Sequence, residues 1–141
     1  MKKVYLVLII MICLRIMTNA QSENNSLKIL DKLKHDGYSI CADQTVYLKQ
    51  REFGSHTTYF YEGRKYIIIC FSDDPNVLNI EVHLERMNGR IDNMNAIDHG
   101  EIAMIIFKPQ KSRKLKVVAT NLSSRTPNSV SECRIIVAFK K

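Results

Sequence analysis

The sequence contains no tryptophan and no long apolar run after its first twenty residues. The missing apolar run excludes a later transmembrane helix, because a bilayer span needs about 20 consecutive apolar residues. The missing tryptophan weakens a carbohydrate-binding interpretation, since aromatic rings supply the stacking surface for sugars. We therefore expect no transmembrane anchor in the chain beyond residue 20.

Motifs of catalysis are also missing. None of the four histidines, His35, His56, His83 and His99, lies in an HExxH or another metal-ligand spacing. There is no GxSxG nucleophile elbow and no glycine-rich phosphate loop. Each histidine is better interpreted as a solvated surface residue, so we expect a protein that is not an enzyme.

The first twenty residues have the organisation of a secretory signal peptide. Lysines at positions 2 and 3 precede an apolar stretch, Val4–Cys13, and small residues at 18–20 offer a cleavage site before Gln21. A retained anchor is less favoured because the apolar run is short and Arg15 interrupts it. We expect residues 1–20 to be removed and the protein to be secreted or periplasmic.

Cleavage would change the length and the charge. The mature chain would have 121 residues, and its formal charge would fall from +7 to +4. This length fits one domain with one core. A charge of +4 favours solubility and weak attraction to anionic surfaces but does not by itself predict nucleic-acid binding.

Three cysteines remain after cleavage: Cys41, Cys70 and Cys133. In an oxidising compartment this number predicts one disulfide and one spare thiol, with three pairings open. The spacings are too wide for a compact zinc site.

The hydrophobic pattern changes from a helical to a strand period at Gly37. Leu27, Leu30 and Leu33 lie at helical spacing with Ile29 beside them, which predicts one helix over 26–36. Beyond it, alternating segments predict strands over 46–52, 57–61, 65–72, 79–87, 101–107, 114–121 and 132–139.

This pattern predicts a mainly β fold: a single antiparallel β-sandwich or jelly roll of about seven to eight strands with one short N-terminal helix. We assign residues 21–44 to an N-terminal segment that carries the helix, and residues 45–141 to the β-sandwich domain.

The stretch 66–71, YIIICF, is apolar on both faces of the predicted strand. Tyr66, Ile68 and Cys70 share one face, and the residues between them share the other. A strand of this kind is typical of a sheet centre covered on both sides. We expect the helix to cover one face of this strand and Cys70 to lie in the core.

The strand order resembles that of the bacterial pre-peptidase C-terminal (PPC) domain over about residues 45–140. The resemblance lies in an aromatic strand, TTYFY (57–61), a glycine turn, an apolar strand, and the strand and turn NIEVHLERMNGRID (79–92). Asn79 and Glu81 replace the aspartates that the family favours. The resemblance implies a non-catalytic accessory β-sandwich of secreted proteins.

Four carboxylates lie in predicted loops: Asp73, Asp74, Asp92 and Asp98. Calcium takes six to eight oxygen ligands, and such loops supply them, so one hypothesis is a calcium site. The alternative is that these residues make turns and keep the loops hydrated. No other cofactor is predicted.

Tyr59 and Tyr61 alternate with Phe60, and Lys111 and Arg113 belong to the basic segment KPQKSRKLK. An exposed tyrosine pair could stack on sugar rings, and the basic residues could meet an acidic partner. The alternatives are cross-strand aromatic packing and a solvated, charged sheet edge. We expect a protein or glycan partner and no nucleic acid.

These observations favour a small secreted or periplasmic binding or accessory module that acts through surface loops or a sheet face. The alternative is a secreted inhibitor or immunity-type protein that blocks a partner enzyme. A protruding rigid loop, at 92–99 or 108–113, would favour the inhibitor, and a flat tyrosine-lined face would favour glycan binding.

Overall fold

The computed structural model describes residues 25–93 and 96–141, in which one helix precedes nine strands. The elements are α1 (Asn25–His35), β1 (Ser39–Leu48), β2 (Phe53–Phe60), β3 (Lys65–Phe71), β4 (Val77–Arg86), β5 (Ile91–Asn93), β6 (Ala96–His99), β7 (Ile102–Phe107), β8 (Arg113–Ser124) and β9 (Ser131–Lys140).

The strands form two antiparallel sheets. One has the order β1-β9-β3-β7-β6 and the other β2-β8-β4-β5. The main core lies between them, where side chains such as Ile80, Leu84 and Val117 from one sheet meet Ile105 and Ile135 from the other. This confirms the predicted mainly β class and the antiparallel sandwich with one short helix.

Strand β3 occupies the centre of the five-stranded sheet, as its apolar faces predicted. Tyr66, Ile68 and Cys70 belong to the core between the sheets. Ile67 and Ile69 belong to a second core, which the helix residues Ile29 and Leu33 also join. The predicted central strand with the helix over one face is therefore confirmed.

The helix packs through a different stripe from the one expected. Ser26, Ile29 and Leu33 are buried, whereas Leu27 is 54% exposed. At 100° per residue, Leu27 points away from the stripe that Ile29 and Leu33 share. The helix ends at His35, and Gly37 follows it with a φ of 82°, which is readily adopted only by residues without a Cβ atom.

The sequence pattern missed three pieces of strand. Strand β1 begins at Ser39, ahead of the expected boundary at residue 45, and a register shift between Ile40 and Ala42 places a bulge at Cys41. Strands β5 and β6 lie in the segment expected to be an acidic loop. All three strands lie at sheet edges, where exposed polar residues hide the alternation.

No helix in the described ranges is long and apolar enough to cross a membrane. The signal peptide predicted over residues 1–20 lies outside the described residues.

Candidate functional site

One end of the sandwich brings together the tyrosines and the basic segment that the sequence singled out. Tyr59 lies directly opposite Lys114, and Phe60 opposite Arg113, in the pairing of β2 with β8. The backbone amide of Glu62 donates to the Ser112 hydroxyl at 2.9 Å, so the β2–β3 and β7–β8 loops are joined.

The two tyrosine rings form a half-exposed pair. Tyr59 and Tyr61 are each 47% exposed, and the residue between them, Phe60, is fully buried, as the alternation predicted. The ring centroids are 4.9 Å apart and the ring planes are inclined at 56°. The pair is therefore not the flat tyrosine-lined face that was expected to favour glycan binding, and at this inclination a sugar ring can lie flat against only one of the two tyrosines.

Arg64, which the sequence analysis did not select, is held beside this pair. Its guanidinium carbon lies 4.6 Å from the centroid of the Tyr61 ring and 4.5 Å from that of Phe139. Cation–π contacts of this length stabilise the orientation of a guanidinium. The signal in the sequence was its position after Gly63 in a short turn between two aromatic strands.

Several further cations lie at this end. Lys111 and Lys114 are exposed, and Arg113 is half-buried. Lys65 lies at the start of β3 and Lys108 follows the end of β7. We call the following set the aromatic–basic end: Tyr59, Tyr61, Arg64, Lys65, Lys108, Lys111 and Lys114.

Arg113 differs from the other predicted ligand-binding residues because it has an internal partner. It donates to an Asp92 carboxylate oxygen at 2.6 Å, and Arg86 donates to the other oxygen at 2.9 Å. The Asp92 side chain is only 3% exposed. This carboxylate joins β4, β5 and β8 and is not available to a metal ion in this arrangement.

The other three predicted calcium ligands lie elsewhere. Asp73 and Asp74 follow β3 at the opposite end of the sandwich, and Asp98 lies in β6. An Asp74 carboxylate oxygen accepts from the Asn76 amide at 2.8 Å, which is a turn-forming contact. In 25–93 and 96–141, no three histidine, cysteine or acidic side chains are grouped to hold a metal ion, so the predicted calcium rim does not assemble there.

A shallow cavity of about 350 Å³ lies beside Asp73 and Asp74 and is also lined by Phe71, Glu132 and Arg134. Arg134 donates to both oxygens of Asp43, at 2.7 and 2.6 Å. The cavity therefore has an acidic wall and an arginine whose charge is already balanced.

The three cysteines are free, which corrects the predicted disulfide. Cys41 is exposed at the β1 bulge, where its thiol donates to the Val137 carbonyl oxygen. Cys70 and Cys133 are buried on neighbouring strands. Burial raises the pKa of both thiols, in the case of Cys133 to about 11.

Two of the described histidines lie beside carboxylates, and one of these is largely buried. His83 pairs with Glu85 at 2.8 Å, and its side chain is 14% exposed, which is less than expected for a solvated residue. A histidine beside a carboxylate is one requirement for acid–base catalysis. Within the described residues, however, no hydroxyl or thiol is hydrogen-bonded to the His83 ring.

No protein-family model matches the chain. No curated protein is significantly similar to it in sequence.

Proposed function

We propose that the protein is a secreted or periplasmic binding module without enzymatic activity, of PPC-like β-sandwich type, and that it binds a glycan through the aromatic–basic end. The observation that carries the proposal is the half-exposed pair Tyr59 and Tyr61, with Arg64 fixed against Tyr61.

Exposure of two adjacent rings supports binding. A tyrosine is amphipathic, so its ring face packs on an apolar surface while its hydroxyl remains in water. The face of a sugar ring offers such a C–H surface. Tyr59 projects from β2, which pairs with β8 along its whole length and is therefore a rigid element. Tyr61 follows the last residue of β2, and its backbone amide donates to the Tyr66 hydroxyl at 2.9 Å.

The experiment is a glycan-array measurement with the mature protein and with Tyr59→Ala and Tyr61→Ala. Loss of one ring should weaken binding by about tenfold, since an aromatic contact contributes about 0.5–1.5 kcal/mol beyond the buried area. Tyr47→Ala is the matched control, because Tyr47 is 65% exposed but lies on β1, outside this group. Equal binding by all variants would contradict the proposal.

A second candidate function, that of an inhibitor, has one specific observation in its favour. The loop 125–130 is exposed throughout. The Asn76 side chain holds it, because its Oδ1 accepts from the Thr126 amide at 2.7 Å and its Nδ2 donates to the Thr126 carbonyl at 3.3 Å. A rigid protruding loop loses little entropy when it enters a partner's cleft.

Neither loop named in the sequence analysis is an exposed, anchored loop like 125–130. The loop 108–112 is short and its Pro109 is buried, and most of the segment 91–99 forms strands. Recovery of a stoichiometric enzyme from a periplasmic or secreted extract, lost with Asn76→Ala, would favour the inhibitor over the glycan-binding module.

A further inference from the structure

One end of the sandwich carries both signs of charge, since Lys49, Arg51 and Arg125 follow β1 and β8 there, and the other end carries the cations defined above. Asp73 and Asp74 lie at one end, together with Glu101 and Glu132, whose carbonyl oxygens accept hydrogen bonds from Ser72. The cations of the aromatic–basic end lie at the other. A cluster of exposed cations attracts an anionic ligand.

The cations at this end lack internal counterions. In 25–93 and 96–141, Arg64, Lys65, Lys108, Lys111 and Lys114 take part in no ion pair. Lys65 even lies directly opposite Lys140 in the pairing of β3 with β9.

Arg64 is the best-positioned of these cations. Its guanidinium contacts the rings of Tyr61 and Phe139, and within the described ranges its side chain makes no hydrogen bond. Its orientation is therefore fixed while its N–H groups remain free. A guanidinium presents a planar fork of donors that fits a carboxylate or sulfate group in a bidentate manner.

We propose that the ligand of the aromatic–basic end is an anionic polysaccharide. Arg64 binds a carboxylate or sulfate group, Tyr59 stacks on a neighbouring sugar ring, and Lys111 and Lys114 contact further anionic groups along the polymer. This inference rests on the proposed function, since it names the ligand class of the same surface.

The surface fits a polysaccharide better than a lipid membrane. Insertion into a bilayer requires apolar side chains at the tips of loops. The tips of the two loops beside the aromatic pair are polar, namely Glu62-Gly63 and Gln110–Ser112, and the exposed rings lie along β2 and at its end. The exposed apolar residues Met87 and Ile91 flank the neighbouring β4–β5 turn, and the vesicle measurement below tests their effect.

The test measures binding of the mature protein by calorimetry to polygalacturonate and heparin, with neutral dextran, oligothymidylate and phosphatidylglycerol vesicles as comparisons. We expect binding to at least one acidic polysaccharide and none to dextran. Affinity should fall as salt is raised from about 0.05 to about 0.5 M, because the Debye length shortens.

The variants distinguish a specific contact of Arg64 with the ligand from a general effect of positive charge. Arg64→Gln should lower affinity for the acidic polysaccharide by at least about tenfold, since a charge-assisted bidentate contact is lost. Arg51→Gln removes the same charge from an exposed position in the β1–β2 turn and should leave affinity within about twofold. Tyr61→Phe should keep binding, whereas Tyr61→Leu should weaken it because the ring that orients Arg64 is lost.

The outcomes distinguish the two proposals. Binding of neutral glycans that Tyr59→Ala weakens and Arg64→Gln does not would overturn this inference and leave the proposed function standing. No binding to any glycan would overturn both. Equal affinity for oligothymidylate or the vesicles would also overturn the inference, because the surface would then be non-selective for polyanions.

Discussion

Cys70 and Cys133 line the same core from neighbouring strands, but they are offset by two residues in the register of β3 with β9. Cys70 lies opposite Ile135, not opposite Cys133. Diagonal neighbours of this kind are roughly 7–8 Å apart, whereas a disulfide requires a Cβ–Cβ distance of about 3.8 Å. The register therefore keeps the two thiols separate.

Thiol labelling tests this arrangement. In the folded protein we expect a maleimide to modify Cys41, and Cys70 and Cys133 only after unfolding, because both are buried. Peptide mapping by mass spectrometry locates the modified residues. A Cys70–Cys133 disulfide in the native protein would contradict the register.

The same burial predicts a loss of stability at alkaline pH. Burial raises the pKa of Cys133 from 9.0 to about 11, with Asp74 and Glu132 adding to the rise, and burial raises that of Cys70 as well. A thiol with a raised pKa keeps its proton longer in the folded state than in the unfolded chain. Its contribution to stability is complete below about pH 9 and falls as the pH rises towards 11.

Urea unfolding between pH 8 and 11 measures this effect. Each such thiol should lower the free energy of unfolding by up to about 1.4 kcal/mol per pH unit in that window. Cys133→Ala removes one of the two titrating thiols, so its curve should be flatter. Parallel curves for the wild type and the variant would show that Cys133 does not contribute.

Helix docking offers a matched pair of substitutions. Leu33 is 4% exposed against the five-stranded sheet, whereas Leu27 is 54% exposed on the same helix. Leu33→Ala should lower the free energy of unfolding by about 2–4 kcal/mol because it leaves a cavity. Leu27→Ala should change it by less than about 0.5 kcal/mol. Similar effects of the two would show that the helix packs in another orientation.

The sequence predicted the central elements better than the edges, for a physical reason. A strand buried on both faces, such as Lys65–Phe71, must be apolar throughout, so its place in the sheet is visible in the pattern. An edge strand such as Ser39–Leu48 has one paired side and many exposed residues, so its signal is weak. Leu27 was expected on the packed face of the helix with Leu33. Successive helix residues are rotated by 100°, and the buried stripe runs through Ile29 and Leu33 instead.

The candidate site was predicted in part. Tyr59 and Tyr61 were assigned correctly to the face opposite Phe60, because alternation alone determines that. Their proximity to Lys114 depends on the pairing of β2 with β8, which no local pattern determines. The role of Arg64 depends on Phe139, which is 75 residues away in the sequence.

The partners of Asp92 lie on other strands, so its role was not visible in the local sequence either, and it gives a further prediction. Its buried carboxylate accepts from Arg86 and Arg113, so Asp92→Asn should lower the free energy of unfolding by about 1–3 kcal/mol. Asp73→Asn is the matched control, because Asp73 is exposed and makes no side-chain hydrogen bond within the described residues. Thermal unfolding measures both, and a large effect of Asp73→Asn alone would contradict the assignment.

The contact between β1 and β2 supplies the last prediction. A Cβ atom at Gly54 would lie 2.9 Å from both Cβ and Cγ1 of Val46, which is closer than packed atoms tolerate. Val46 is branched at Cβ and cannot move its methyl groups away by a simple rotation. Gly54→Ala should therefore lower the free energy of unfolding by about 1–3 kcal/mol through overpacking.

A double-mutant cycle separates this steric effect from a loss of strand geometry. Val46→Ala removes the two methyl groups that an alanine at 54 would meet and leaves only the Cβ contact, so part of the clash is relieved. The combined variant should therefore be more stable than the sum of the two single effects predicts. Ser55→Ala, at the exposed neighbouring position of β2, is the control and should be nearly neutral. Strict additivity of the two changes would mean that the methyl groups of Val46 do not restrict residue 54, and that β1 and β2 approach each other less closely than the structure shows.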